Sequence, residues 1–427
     1  MGINKLKDLG QFDRCVNLMK KDGRGDITPI DVFRVDTLGE VYKELDRGYV
    51  IGIEINDELV GFSRVTATLE ANIHWIHELF GEDATELFDA IKEEAVKRGA
   101  TEFVWLLKDE WLRELNELFE IQDDSNDEKE ILVHLKLDNM EVETEEVSLN
   151  DLTKRIYNEN PLVTNVTTLE GLEACVKVQK DVGWGDVSAP ARILKPEMLS
   201  EHFSVLTGLL LALKEKGEIV AYVRVSATFQ KGVLYGHEGA ITTTLQSTGV
   251  GKFAVNLLGD IVNSLLKNPL ALEVPGRILK KAGSPFRIKI YGTIDPLNAK
   301  MLGLATSPLV TSIGAFSRGV YLARNLYGVW DTDAHGSAET DRVIWVGNLQ
   351  KRRFKLEDYR VVRTEEELEK VSESSFYIEL PEVDMDMADS ESKKMVTRML
   401  SKAINELGYK ITHVNSRGIP RYLMELV

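Results

Sequence analysis

Two rhythms of apolar positions alternate along this chain, and their order is written twice. Residues 9–21 and 169–181 place apolar side chains at helical spacing, and a glycine-rich stop follows each. Paired strand-like runs come next, 49–55 with 58–68 and 209–214 with 218–228. Asn56-Asp57 divides the first pair and Glu215-Lys216-Gly217 the second; such residues favour tight turns, so each pair predicts a β-hairpin. A third strand is expected at 72–78 and 233–241, then a helix at 83–98 and 251–267. The first half returns to a strand (101–107), a short helix (111–119) and a strand (131–137), and the second to a strand at 287–293. The acidic stretch 138–146 reads as the start of a linker, and the Pro- and Gly-rich stretch 268–285 as an insertion. Residues 351–427 carry a strand (376–380), a helix (391–407) capped near Ser390 and two closing strands. The order predicts an α/β chain of the mixed α+β kind. Two helix-flanked sheets fall at 1–145 and 146–350, and a small C-terminal α/β segment, 351–427, packs on the second.

The recurrence reaches the letters. Sliding the chain by 160 positions lays Cys15-Val16 on Cys175-Val176, Arg64-Val65 on Arg224-Val225, and His77-Glu78 on His237-Glu238. Gly23, Gly25 and Asp26 meet Gly183, Gly185 and Asp186 in the same register. Just past His237-Glu238 the halves part. The second runs Gln246-Ser247-Thr248-Gly249-Val250-Gly251-Lys252 into an apolar helix, where the first has Leu79-Phe80-Gly81-Glu82-Asp83-Ala84. One working site beside one scaffold is the expectation.

Bulk properties narrow the class. A length of 427 residues exceeds one ordinary core. Apolar content of 43%, charged content of 28% and the lack of any long apolar run predict a cytoplasmic globular chain with no membrane partner. A net charge of −17 argues against nucleic acid as a partner, because phosphates demand a basic face. The two cysteines, Cys15 and Cys175, fall at equivalent positions and read as core thiols, and no metal is expected. Oligomeric state is left open, a homo-oligomer included.

The loop that distinguishes the halves lies between a strand and a helix. Glycines there let successive backbone N–H groups face one concavity, and the helix start adds its positive dipole end, which suits a diphosphate. Other phosphate loops fail on spacing. A Walker A loop needs glycine where Gln246 stands and a hydroxyl where Phe253 stands. A dinucleotide fingerprint belongs after the first strand of a parallel unit, not after a hairpin and a third strand.

Gln246-x-x-Gly249-x-Gly251 in this setting resembles the pyrophosphate loop of the GNAT superfamily of acyl-CoA N-acyltransferases. A narrower likeness, to one group of prokaryotic GNAT proteins, runs through Trp184-Gly185, Gly236-His237, Asp295-Pro296-Leu297, Asn325-x-Tyr327-Gly328 and Asp341-Arg342 with Trp345. It extends to Glu379-Leu380-Pro381 and Gly408-Tyr409. The resemblance implies a tandem form in which only the second copy binds acetyl-CoA or another acyl-CoA as co-substrate. The pyrophosphate would rest on the amides of Gln246, Ser247, Thr248, Gly249, Val250, Gly251 and Lys252. Pantetheine would lie along Ile241, Thr242 and Thr243. The implied reaction is direct attack on the thioester by the amine of a small molecule such as an amino acid. It needs positioning and an amide donor for the oxyanion more than covalent catalysis. A non-catalytic acyl-CoA sensor is the alternative.

Candidate acid–base groups follow from the same comparison. His237 and Glu238 sit on the strand leading to the loop, where the superfamily often has a base, and strict alternation would let only one face the cleft. A histidine suits deprotonating an ammonium near neutral pH, although His77-Glu78 in the loop-less half argues for a shared structural role. The thiolate is often protonated by a tyrosine on the helix after the fifth strand. Residues 301–317 contain none; Tyr321 and Tyr327 lie further on, and Tyr327, in the Tyr-Gly motif, is the better candidate acid. Asn298 is either a pantetheine contact or a helix N-cap. Asp341-Arg342 is either a substrate-carboxylate site or a surface ion pair, and Trp184 lines an acceptor pocket or fills a core. Gly249→Glu is expected to abolish CoA binding and Gly81→Glu to spare it.

Overall fold

The computed structural model describes residues 2–7, 9–21, 46–68, 70–107, 112–122, 130–147, 163–166, 169–182, 208–230, 233–246, 289–294, 321–323, 342–346, 358–381, 390–415 and 419–426. The first sheet is built from β1 (Gly2–Leu6), β2 (Gly48–Ile55), β3 (Glu58–Ala67), β4 (Ile73–Gly81), β5 (Glu102–Leu106), β6 (Glu130–Lys136) and β7 (Val142–Val147), and these lie side by side in that order. Helix α1 (Leu9–Lys21) follows β1, α2 (Ala84–Lys97) joins β4 to β5, and α3 (Arg113–Leu118) precedes β6. Asn56 and Asp57 take φ of 52° and 66°, the left-handed pair that closes a two-residue hairpin in step with strand twist. All neighbouring pairs of this sheet are antiparallel except β4 and β5, which run parallel.

Both faces of the first sheet are covered. On α1, Phe12, Cys15, Val16 and Met19 are buried, one stripe at helical spacing, and the helix packs against β3. On α2, Leu87, Phe88, Ile91 and Ala95 are buried and join Ile51, Val65, Ile76, Phe103 and Trp105 in one apolar cluster. Burial holds the Cys15 thiol well above its ordinary range, and the nearby Glu78 carboxylate adds to that, so it is a core thiol.

Helix and strands recur 160 residues on. They are β8 (Val163–Asn165), α4 (Leu169–Asp181), β9 (Gly208–Glu215), β10 (Glu218–Ala227) and β11 (Val233–Ile241); α4 and β9–β11 begin 160 positions after α1 and β2–β4. Lys216 and Gly217 repeat the left-handed turn, with φ of 52° and 90°. Three strands complete the second sheet: β12 (Lys289–Ile294), β13 (Tyr321–Ala323) and β14 (Arg342–Val346). Its order is β13-β14-β12-β11-β10-β9-β8, so the last strand of this sheet in chain order inserts between its two predecessors, unlike the plain meander β5-β6-β7.

A third sheet, β15-β16-β18-β17, comprises β15 (Val361–Val362), β16 (Ser375–Glu379), β17 (Tyr409–Asn415) and β18 (Arg421–Leu426). Helix α5 (Glu365–Glu369) is capped by Thr364, whose side chain accepts from the Glu367 amide, and α6 (Ser390–Ser401) continues as a π turn through Glu406. The expected fold class therefore holds: mixed α+β, with helix-flanked sheets and a small C-terminal α/β segment.

Two sequence expectations shift. The acidic stretch at 138–146 is in large part the edge strand β7, hairpinned to β6 through Met140 at φ 58°. Its alternation was hidden by glutamates that pair across the strands: Lys136 lies 3.4 Å from Glu143, and His134 lies between Glu102 (2.6 Å) and Glu145 (3.7 Å). Strands β1 and β8, too short to show a period, precede the helices that had seemed to open each half. By contacts the chain forms two compact units, Met1–Lys177 with Leu194–Tyr235 and Ser264–Arg287, and Val178–Ile193 with Gly236–Asn263 and Ile288–Val427.

Candidate functional site

The first sheet shows what the shared His-Glu pair does where no phosphate loop follows. The register between β3 and β4 passes from Arg64↔Glu78 to Val65↔Ile76, so His77 is one residue too many for its partner strand. Such a bulge breaks strict alternation. Both side chains consequently reach one face: Glu78 receives Arg64 at 2.9 and 2.8 Å in a two-pronged ion pair, and His77 Nε2 lies 2.7 Å from Thr66 Oγ1. In this half the two neighbours face the same side, because the bulge adds a residue. Arg64 and Glu78 are fully buried, and His77 nearly so. The second half carries Arg224, Ser226, His237 and Glu238 at the matching positions. The backbone of His237 and Glu238 lies in β11; their side chains lie outside the described residues.

Parallel pairing of β4 with β5 covers Ile73↔Glu102 to Trp75↔Val104 only, and the two strands part beyond it. In the first half, protein bridges this divergence. Helix α3 packs against β4, and its Asn116 accepts from Trp105 Nε1 at 2.8 Å and donates to the Leu107 carbonyl at 2.8 Å. Leu112 and Leu115 are buried in the same cluster as Ile76 and Leu79.

The end of β4 is tight as well. Gly81 has φ of +112°, and a Cβ there would lie 2.4 Å from both the Gly61 Cα and the Val60 carbonyl oxygen. Gly81→Glu therefore threatens the fold itself, and the position cannot serve as the harmless control expected from sequence. Asp83, the residue before α2, is left-handed and makes no side-chain cap.

The second half is built differently at this point. After Ile241 the chain makes a single 3-10 turn, Thr243–Leu245. The Leu245 amide donates to the Thr242 carbonyl at 3.0 Å, the Gln246 amide to the Thr243 carbonyl at 3.2 Å, and Gln246 Nε2 to the Ile241 carbonyl at 3.2 Å. From the end of α4, Asp181 Oδ2 accepts from the Thr243 amide at 2.7 Å and from Thr243 Oγ1 at 3.1 Å. Sequence reasoning missed Asp181; the break in the repeat, where Lys21 becomes Asp181, was its only trace. The structure thus brings Ile241, Thr242, Thr243 and Gln246 together in one exposed turn. Ser247, Thr248, Gly249, Val250, Gly251, Lys252, Asn298 and Tyr327 lie outside the described residues, as do the expected helix at 251–267 and Trp184.

Among the described residues, no helix is long and apolar enough to cross a membrane, and no cluster of His, Cys, Asp or Glu is placed to hold a metal. The fold and this turn define a mixed α+β chain in which a helix and three strands recur 160 residues on and the chain after the third strand differs. No family model and no curated protein matches the sequence. Solved structures similar to this one include the ribosomal-protein-S18-alanine N-acetyltransferase of Escherichia coli, at 16% identity and a TM-score of 0.29, over 46% of this chain and 97% of that one. The diaminobutyrate acetyltransferase EctA of Paenibacillus lautus, solved with L-2,4-diaminobutyric acid and coenzyme A, gives 14% identity and a TM-score of 0.28, over 45% of this chain and 98% of that one. An acetyltransferase of the GNAT family from Streptococcus pneumoniae gives 11% identity and a TM-score of 0.29, over 44% and 99%.

Proposed function

We propose that this chain is a tandem GNAT-type protein, with a loop-less first domain (1–145), an acyl-CoA-binding second domain (146–350) and an appended segment (351–427), and that it N-acylates a small-molecule amine such as an amino acid. The observation that carries this reading is the difference between the two matched frameworks where the third strand of each ends. Where β4 closes tightly at Gly81, β11 opens through a 3-10 turn into Gln246-x-x-Gly249-x-Gly251. The glycines of that motif, and the helix expected from sequence after it, would suit the diphosphate of acetyl-CoA or another acyl-CoA. Thr242 and Thr243 then fall beside the pantetheine, and Asn298 beside its amides.

The roles of His237 and Glu238 divide along the lines of their counterparts. Glu78 is consumed by a two-pronged pair with buried Arg64, which supports Glu238 as the partner of Arg224 rather than as a base. His77 Nε2 meets the Thr66 hydroxyl at 2.7 Å, and Ser226 stands at the position matching Thr66; we assign to His237 the acceptance of the proton of the attacking ammonium. Tyr327 is assigned the proton for the leaving thiolate. No metal takes part in this reading, and the acidic net charge supports neither nucleic acid nor an anionic membrane surface as a partner. A cytoplasmic location suits an enzyme drawing on acyl-CoA, and assembly into a homo-oligomer is compatible with it.

The test offers acetyl-CoA and succinyl-CoA with pooled amines and follows free thiol, alongside calorimetry of CoA binding. Turnover with one amine class is expected. Binding without turnover on any amine would favour the sensor reading, and absence of CoA binding would sink both. Gly249→Glu is expected to weaken CoA binding by at least about a hundredfold, through a clash and charge repulsion at the amides. Thr85→Glu puts the same charge on an exposed site at the start of α2 and is expected to leave binding unchanged. Equal loss from both would contradict a single site.

A further inference from the structure

Asp181 stands where its own helix disfavours it. It is the last residue of α4, and the unpaired carbonyls of a helix C-terminus repel a carboxylate. Helix α1 ends instead in Lys20 and Lys21, and Lys21 is the counterpart of Asp181. A charge kept against the local preference needs a partner elsewhere, and here the partner is Thr243. One carboxylate oxygen accepts both the backbone N–H and the hydroxyl of that residue, at 2.7 and 3.1 Å. The tie belongs to the second half alone. In the first half the matching residues are Lys21, whose Nζ lies 3.8 Å from Glu58, and Asp83, which is left-handed and caps nothing.

The position of the tie gives it a purpose. Thr243 opens the 3-10 turn, the turn is closed by the Leu245 and Gln246 amides, and Gln246 is the first residue of the anion loop. Fixing Thr243 therefore fixes the path of the backbone from the end of β11 to Gln246. We propose that Asp181 is a positioning residue for acyl-CoA: it acts through Thr243 to hold the turn 242–246 and pre-orients the loop for the diphosphate. The inference rests on the acyl-CoA reading above. Misplaced donors lose affinity for the co-substrate in the ground and transition states alike, so the loss falls on KM rather than on kcat.

The experiment uses the full chain with CoA and the acyl-CoA turned over by the wild type. Asp181→Ala is expected to weaken CoA binding and raise KM about tenfold, with kcat within about twofold. Its ligand-free melting temperature should hold or rise, because a carboxylate has left a helix C-terminus. Asp181→Asn keeps an acceptor oxygen and should restore most of the affinity. Asp181→Lys, the residue of the first half, should lose the affinity while raising the melting temperature further. Amide exchange at Thr243 should quicken in the Ala and Lys variants without any ligand. Wild-type affinity in Asp181→Ala, or affinity lost only in step with a falling melting temperature and not rescued by Asn, would overturn the inference. If the wild type itself binds no CoA, the acyl-CoA reading fails. The exchange readout then still reports whether Asp181 holds the turn, so the two failures are told apart.

Discussion

At the scale of single residues, His74 shows what burial does to a titrating group. His74, on β4, is fully buried, its ring 4.5 Å from that of Phe229 and 6.2 Å from that of Tyr49, with Phe103 beyond. Burial, reinforced by the Arg98 guanidinium, lowers its pKa from near 6.5 to about 3. The histidine is neutral in both states above pH 6.5, so it adds no pH dependence there. As pH falls from 6.5 towards 3, the unfolded chain takes up a proton that the folded chain refuses, and stability is lost by on the order of 5 kcal/mol. His74→Leu, which installs the type found at Leu234, is expected to flatten the urea-unfolding free energy over that range and leave it little changed at pH 8. A slope equal to that of the wild type would show that His74 does not titrate this way. The sequence marked His77 for its neighbour and passed over His74, since burial cannot be read from one residue's letter.

At the scale of elements, the bulge in β4 depends on a buried ion pair. Arg64 and Glu78 are wholly withdrawn from water, so removing one partner strands the other charge. Arg64→Leu is expected to destabilise the protein by roughly 3–5 kcal/mol, measured by urea denaturation, and Arg64→Leu with Glu78→Leu to recover most of it. Additive losses in the double variant would argue against pairing. Elements also show the limits of periodicity. The hairpins were legible because Asn56-Asp57 and Lys216-Gly217 can take positive φ, whereas β7 was masked by glutamates that satisfy themselves across the strands. Glu379 illustrates a further kind of hidden order. It accepts from Arg363 and Arg421, two residues 58 positions apart (421 − 363), and Arg363 foremost holds its carboxyl below the usual range.

At the scale of the molecule, one compact unit draws on strands from both repeats. The first compact unit holds the first sheet together with β8–β10, and Phe229, just after β10, is part of its packing. The Phe229 amide donates to the Asp46 carbonyl at 2.9 Å, and its ring lies beside His74 and Tyr49 beneath the Arg98 guanidinium, 4.8 Å from the ring centre. Arg98 is itself paired with Asp46 and, at 2.9 Å, with Glu94. Phe229→Ala is expected to cost about 2 kcal/mol, through lost ring contacts and the loss of one of the two rings, Phe229 and Tyr49, beneath the Arg98 guanidinium. Thermal unfolding of the full chain should show the loss in the transition that includes the first sheet; a shift confined to a separate, later transition would contradict the shared unit.

The sequence by itself determined the local facts: which runs form helices, which residues close the hairpins, and that Gln246–Gly251 occurs once in two matched halves. These rest on backbone preference and periodicity, which neighbouring residues settle among themselves. Tertiary structure alone decided that His77 and Glu78 share a face, that α3 bridges the parted strands of the first half, and that Asp181 ties down the turn before the loop. Each of those depends on a register shift or a contact between residues far apart in the chain, and no local pattern encodes it.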